Sequence, residues 1–230
     1  SQTTDLIDDD PDGFVLSTEL LEPFMGNYEY FFFPSEAKPA VTITYFDALY
    51  SENGDPWNFE TSPYEHEKYR NTLDAISNKE YKYALEIGCA NGVFTEQLAA
   101  ECKRLLALEL NETALKIAEK RCAHHLQCRF LKWDIALGLP KGNFDLIVFS
   151  EVGYYFIKEK LQQIFKDVNE ILVGGGIFVM VHWTAYVRHY PLTGLQVHEI
   201  FANDHSEGFN LKINQRHELY ELLVWEKVEK

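Results

Sequence analysis

Short apolar runs alternate with stretches of helical spacing through most of this chain. Residues 84–87, 104–109, 128–132, 144–149 and 177–181 are compact and rich in aliphatic side chains, as buried strands are. Between them, residues 93–100, 112–123 (with Leu115 and Ala118 facing inward) and 161–172 carry helical periodicity. Asn111 is placed to cap the second of these helices, and Gly174, Gly175 and Gly176 to stop the third. A further helix precedes the first strand: Thr61 or Ser62 caps it, Pro63 sits in its first turn, and Tyr64, Tyr69, Leu73 and Ile76 mark its inner face as far as Ser77. Strand and helix in regular alternation predict an α/β domain, doubly wound around a parallel sheet. The run 144–149 has almost no polar interruption, which places it at the centre. Residues 210–228 add two more extended runs around Gln215 and Arg216, read as a sixth and a seventh strand.

The turn after the first strand carries the chemistry. Glu86-Ile87-Gly88-Cys89-Ala90-Asn91-Gly92 is a strand end and glycine turn leading into a helix, and Gly88 and Gly92 allow a tight bend and close approach of a ligand. Glu109 ends the next strand, where a carboxylate can accept from both ribose hydroxyls, so the pair reads as a nucleoside-cofactor pocket. A dinucleotide cradle would need glycine where Ala90 and Val93 stand, which argues against a pyrophosphate and hence a dehydrogenase. Glu86 offers a carboxylate to an amino group, as S-adenosylmethionine (SAM) would present.

The remaining composition narrows the class. With 21 basic and 36 acidic residues the formal charge is −15, which repels a phosphate backbone or an acidic membrane and favours a neutral or cationic small-molecule acceptor. The 230 residues, 46% hydrophobic, suffice for one buried domain, assigned to 47–230. Residues 1–46 form an N-terminal segment, acidic to residue 13 and then dense in aromatics; it is read as a lid, a homodimer contact or a wrap on the core. No apolar run reaches the length of a membrane span, and the first residues are acidic where a secretory signal is basic and then apolar, so the expected location is cytoplasmic. Cys89, Cys102, Cys122 and Cys128 lack zinc-site spacing and read as reduced thiols; His189, His198 and His205 supply no metal-ligand set either, so no metal is expected.

Three segments resemble a known family. They are Asp55-Pro56-Trp57 with Pro63-Tyr64-Glu65 and Lys68; Glu86-Ile87-Gly88-Cys89-Ala90 through Phe94-Thr95-Glu96 and Cys102-Lys103-Arg104-Leu105; and Phe144-Asp145-Leu146-Ile147-Val148 with Glu151-Val152 and Tyr154-Tyr155. They resemble the class I SAM-dependent methyltransferases and, among these, the nodulation protein S (NodS) family, whose members N-methylate an amino sugar in lipo-chitooligosaccharide synthesis. The resemblance implies a Rossmann-like, seven-stranded, mostly parallel sheet whose last strand is antiparallel. It also implies SAM as cofactor and S-adenosylhomocysteine as product. Trp57, Tyr64 and Lys68 would then hold the methionine end, beside Glu86, Gly88, Cys89 and Gly92. Glu109 and Leu110 would hold the ribose, Asp134 and Ile135 the adenine, and Ser150 would border the cofactor.

The fourth and fifth strands end at Ser150-Glu151 and His182-Trp183, on the edge where doubly wound sheets bind ligands. Glu151 and His182 are therefore the candidate catalytic groups, each able to bind or deprotonate an acceptor. Tyr154, Tyr155, Trp183 and Tyr190 are read as its substrate-binding wall. The segment from His182 to His198 departs from the nodulation protein itself, which leaves the acceptor open. An amino sugar or related amine is favoured, an O-methyltransferase with His182 as base is the first alternative, and a SAM-binding module without catalysis is the second.

Overall fold

The computed structural model describes residues 38–229; the acidic stretch and most of the aromatic segment, residues 1–37, lie outside the described residues. Seven strands form one sheet: β1 (Ala84–Ile87), β2 (Leu105–Glu109), β3 (Cys128–Lys132), β4 (Phe144–Ser150), β5 (Leu172–Trp183), β6 (Phe209–Arg216) and β7 (Tyr220–Lys227). Their order is β3-β2-β1-β4-β5-β7-β6, with β1 to β5 parallel and β7 antiparallel to both of its neighbours. The expected sheet, including its reversed last strand, is therefore present. The chain reverses direction across the sheet between β1, which pairs with β2, and β4 on its other side, leaving a crevice at the carboxyl ends.

Helices cover both faces because the central strands are apolar on both. Along β4, Ile147 and Phe149 face a core built with α5 (Lys158–Ile171), whereas Leu146 and Val148 face one built with α2 (Pro63–Ile76) and α3 (Val93–Leu98). Ser62 caps α2, accepting from Glu65 N, and Asn111 caps α4 (Glu112–Arg121), accepting from Ala114 N, as their positions predicted.

Three features differ from the sequence expectation. A helix α1 (Ile43–Glu52) runs through position 46, so the end of the aromatic segment is continuous with the domain. The glycines 174–176 lie inside β5, which starts directly at Leu172; its pairing with β4 jumps from Phe144↔Leu172 to Leu146↔Ile177, and Gly175 takes a positive φ of 70° in the irregularity. Finally, α6 (Gly194–Asp204) begins within the segment that departs from the nodulation protein, for which no helix was expected. It starts with a reciprocal capping box between Thr193 and Gln196, a signal that was legible in the sequence.

Candidate active site

The carboxyl ends of β1 to β5 open into one cavity of about 560 Å³, and α1, α2 and the turn Gly153–Tyr155 complete its walls. On one side lie Gly88, Leu108, Glu109, Leu110, Asp134 and Ile135. Gly88 has φ +80°, and a Cβ there would lie 2.4 Å from Val152 Cγ1, so only glycine fits this bend. The Glu109 carboxylate ties the loop together: Oε2 accepts from Ala90 N at 2.9 Å and Oε1 from Asn111 N at 2.8 Å. Burial raises its pKa, while the N–H groups of Asn111, Ala90 and Leu110 pull the other way. Ala90 itself is held at φ +48°, a strained position for a residue with a Cβ. Asp134 Oδ1 accepts from Ala136 N at 2.8 Å, which orients its carboxylate at the end of β3. An apolar slot with a carboxylate at each end fits a nucleoside. Trp57 and Ser150 also line the cavity.

The other side is aromatic and charged. Lys68 is buried and lies 3.0 Å from a Glu65 oxygen and 2.6 Å from Glu151 Oε1. Burial works against its ammonium, but Glu151 and Glu65 outweigh it and raise the Lys68 pKa well above the usual value. Glu65 lines the cavity, and its pKa is raised by burial against the pull of Lys68. Glu151 Oε2 further accepts from Tyr154 Oη at 2.7 Å and from Trp183 N at 2.9 Å. Glu151 is at φ +58°, a strained backbone position held by these contacts and by its own N–H to Val181 O. Around this cluster stand Tyr64, Tyr154, Tyr155, Trp183 and Tyr190, with the Tyr154 and Tyr190 rings stacked at 5.0 Å. Trp183 has an indole N–H with no hydrogen-bond partner among the described residues. The chain's own residues 41–46 reach this wall: Val41 N donates to Tyr155 O, and Phe46 packs edge-on against Tyr155.

Several expected site residues fall elsewhere or act differently. Lys68 lines the cavity, where it is matched by two carboxylates. Glu86 is 3% exposed and does not line the cavity; it sits beneath the loop, where burial pushes its carboxyl up to about 8, so it is largely protonated at neutral pH. Cys89 is buried outside the cavity, and all four cysteines are unpaired. Gly92, at φ +81°, serves packing and not ligand approach, because a Cβ would lie 2.8 Å from Ala118 Cα on α4. His182 is fully buried outside the cavity, its Nε2 accepting from Gly153 N. Desolvation lowers its pKa well below the usual range, reinforced by His198 and Lys68. Residues that the sequence reading missed are Glu65, whose motif position was visible but unassigned, and Phe46 and Tyr50 of α1. Among the described residues, Glu96, His124 and His125 offer ligand atoms close enough to share a metal ion, but they do not line the cavity.

The fold agrees with solved structures. The N-methyltransferase NodS from Bradyrhizobium japonicum, solved with S-adenosyl-L-homocysteine, superposes with a TM-score of 0.68 over 80% of this chain and 98% of that one. At 24% identity this likeness concerns the fold. A putative methyltransferase from Pseudomonas syringae, 28% identical, gives a TM-score of 0.62 over 71% of this chain and 99% of its own. In sequence, the chain is 36% identical over 108 residues to nodulation protein S of Bradyrhizobium diazoefficiens, covering 44% of this chain and 49% of that protein. Nodulation protein S of Sinorhizobium fredii is 34% identical over 102 residues, 44% of this chain and 47% of its own. The chain thus spans about half the length of these relatives. The model of the Nodulation protein S (NodS) family matches residues 49–184, which include β1 to β5 and every cavity-lining residue except Tyr190 and those before residue 49, and the chain belongs to that family.

Proposed function

We propose that this protein is a SAM-dependent methyltransferase that transfers a methyl group to the nitrogen of a small acceptor, an amino sugar or related amine. The carrying observation is that the Glu65–Lys68–Glu151 cluster and its aromatic wall line the same cavity as Glu109. Two carboxylates around one ammonium, bounded by ring faces, suit an amine: carboxylates attract its cationic form and aromatic faces favour it too. Lys68 Nζ lies 5.1 Å from the Tyr64 ring centroid, so this wall already accommodates a cation.

When bound, SAM supplies an electrophilic methyl on its sulfonium. Glu109 and Asp134 would hold the nucleoside, with Gly88 letting the backbone approach. Positioning supplies most of the rate, and charge supplies the rest: the bound ammonium gives its proton to solvent, the neutral nitrogen attacks with its lone pair, and Glu151 and Glu65 stabilise the positive charge that it regains. Glu151 already accepts from Lys68, Tyr154 and Trp183, which supports a role in holding and stabilising the acceptor in preference to taking its proton. The O-methyl reading relied on His182 as base, and His182 is walled off from the cavity. The net charge and the size of the cavity support a small molecule over nucleic acid. No helix among the described residues is long and apolar enough to cross a membrane. The four unpaired thiols support a cytoplasmic location. The described end of the aromatic segment lies on its own cavity, which supports the lid reading over a dimer contact for residues 41–46.

The test is methyl transfer from labelled SAM to matched acceptor pairs, such as glucosamine beside glucose and a small primary amine beside its alcohol. Transfer confined to the amines is expected. Transfer to the hydroxyl partners would move the function to O-methylation, and tight S-adenosylhomocysteine binding without transfer to any acceptor would reduce the protein to a binding module.

A further inference from the structure

Behind the aromatic wall, two buried histidines and a partly exposed glutamate link β7 to the turn Gly153–Tyr155. Gly153 N–H donates to His182 Nε2 at 3.1 Å. A nitrogen that accepts carries the lone pair, so the proton of a neutral His182 belongs on Nδ1. Nδ1 lies 2.9 Å from His198 Nε2, which must then accept, and the His198 proton belongs on Nδ1. That atom is 2.7 Å from Glu221 Oε2, a carboxylate that only accepts. The chain therefore has one direction: Gly153 to His182, His182 to His198, His198 to Glu221. Reversing it would set the His182 N–H against the Gly153 N–H.

The three residues come from β5, α6 and β7, and neither histidine has meaningful exposure. Burial keeps His182 neutral, and the His198 hydrogen bond holds the Glu221 carboxyl below its usual range. The imidazole touches the turn directly. A Cβ on Gly153 would lie 2.9 Å from His182 Nε2 and 2.5 Å from Val197 Cγ1, so the turn has no room to shift toward the ring. Tyr154 and Tyr155, which the turn carries, form the acceptor side of the cavity, and Tyr154 also holds Glu151.

We propose that Glu221, acting through His198, fixes His182 in the tautomer that accepts from Gly153, and so positions the Gly153–Tyr155 turn that bears the acceptor wall. The functional consequence rests on the methyl-transfer reading of the cavity; the tautomer does not. His182 is then a positioning residue, and so are His198 and Glu221, although none of them lines the cavity.

The test is nitrogen NMR of the histidine rings in the full chain at neutral pH, for the wild type, Glu221→Gln and Glu221→Met. The wild type should show His182 protonated on Nδ1 with a bare Nε2. Glu221→Gln, whose amide oxygen still accepts, should keep that state. Glu221→Met should mix the tautomers and speed exchange of the Gly153 amide by about tenfold, with S-adenosylhomocysteine affinity unchanged. If Glu221→Met does not fold, His198→Leu serves instead with the same expectation. A wild-type His182 protonated on Nε2 overturns the proposal, and so does a removed acceptor that alters neither the tautomer nor the exchange. Failure of methyl transfer with every acceptor would end the functional reading while leaving these ring signals as they are.

Discussion

Replacing Lys68 with methionine isolates the charge cluster on which the acceptor side is built. Lys68 Nζ lies 3.0 Å from Glu65 and 2.6 Å from Glu151, with 3% of its side chain exposed. At an effective dielectric of about 20, each contact is worth roughly 5 to 6 kcal/mol of direct attraction, most of which desolvation cancels. Methionine has a similar volume and no charge, so the packing survives while two carboxylates are left facing each other without a cation. Stranding buried charges in this way costs roughly 3–5 kcal/mol. Urea unfolding at pH 8 should show a loss of that size. The sign of the pH dependence follows from linkage. Without Lys68, the folded-state pKa of Glu65, already raised by burial, rises further above its unfolded value, so this carboxylate destabilises more strongly as the pH rises through that window. The deficit should therefore shrink at pH 5, where one carboxylate is protonated, and adding Glu65→Gln should recover part of it at pH 8. A loss below about 1 kcal/mol, or one equal at both pH values, would mean that the cluster is not the buried ion triad described here.

Three further outcomes are expected. Glu86→Gln should stabilise the fold by a few kcal/mol at pH 9 and leave it nearly unchanged at pH 4, because the folded pKa of about 8 lies above the unfolded one and the penalty develops between about pH 4.5 and 8; parallel pH–stability curves for the two proteins would refute the assignment. Gly92→Ala should cost about 2–4 kcal/mol, combining a positive φ of 81° with a Cβ forced to 2.8 Å from Ala118 Cα, and a thermal midpoint within a degree of wild type would contradict that contact. Glu109→Ala should weaken S-adenosylhomocysteine binding by about 1.5–3 kcal/mol in calorimetry, since the ribose loses a charged acceptor and Ala90 N and Asn111 N lose theirs; unchanged affinity would remove Glu109 from the nucleoside pocket.

The sheet was readable because its signals are local. Apolar runs, caps at Ser62 and Asn111, and glycine at a turn each depend on a few neighbouring residues, and every strand between 84 and 183 appeared near its expected place. The exceptions have local causes too. Gly174 to Gly176 end a helix by composition, yet β5 absorbs them as an irregularity because β4 offers pairing partners on both sides of it. Helix α6 was hidden in a segment read for its aromatics and histidines, although Thr193 and Gln196 announced its start. What no spacing shows is which side of a strand end faces the ligand. His182 and Trp183 are adjacent on β5, and the two-residue alternation sends Trp183 to the cavity and His182 behind the wall.

The same limit explains why three glutamates assigned to the site have three different fates. Each lies at or within one residue of the carboxyl end of a strand, and from sequence each is simply a carboxylate at the active edge. Donors separate them. Glu86 has one oxygen with no partner among the described residues, and desolvation outweighs the opposing pull of the Thr95 hydroxyl, so its carboxyl is pushed up to about 8. Glu109 receives two backbone N–H groups from the loop it organises, which leaves it shaped for a ligand and tied to the turn. Glu151 receives an ammonium, a phenol and a backbone N–H, contributed by α2, the Gly153–Tyr155 turn and β5, segments far apart in the chain. Its role depends on contacts spanning up to 83 residues of sequence, so it becomes legible only once the chain has folded.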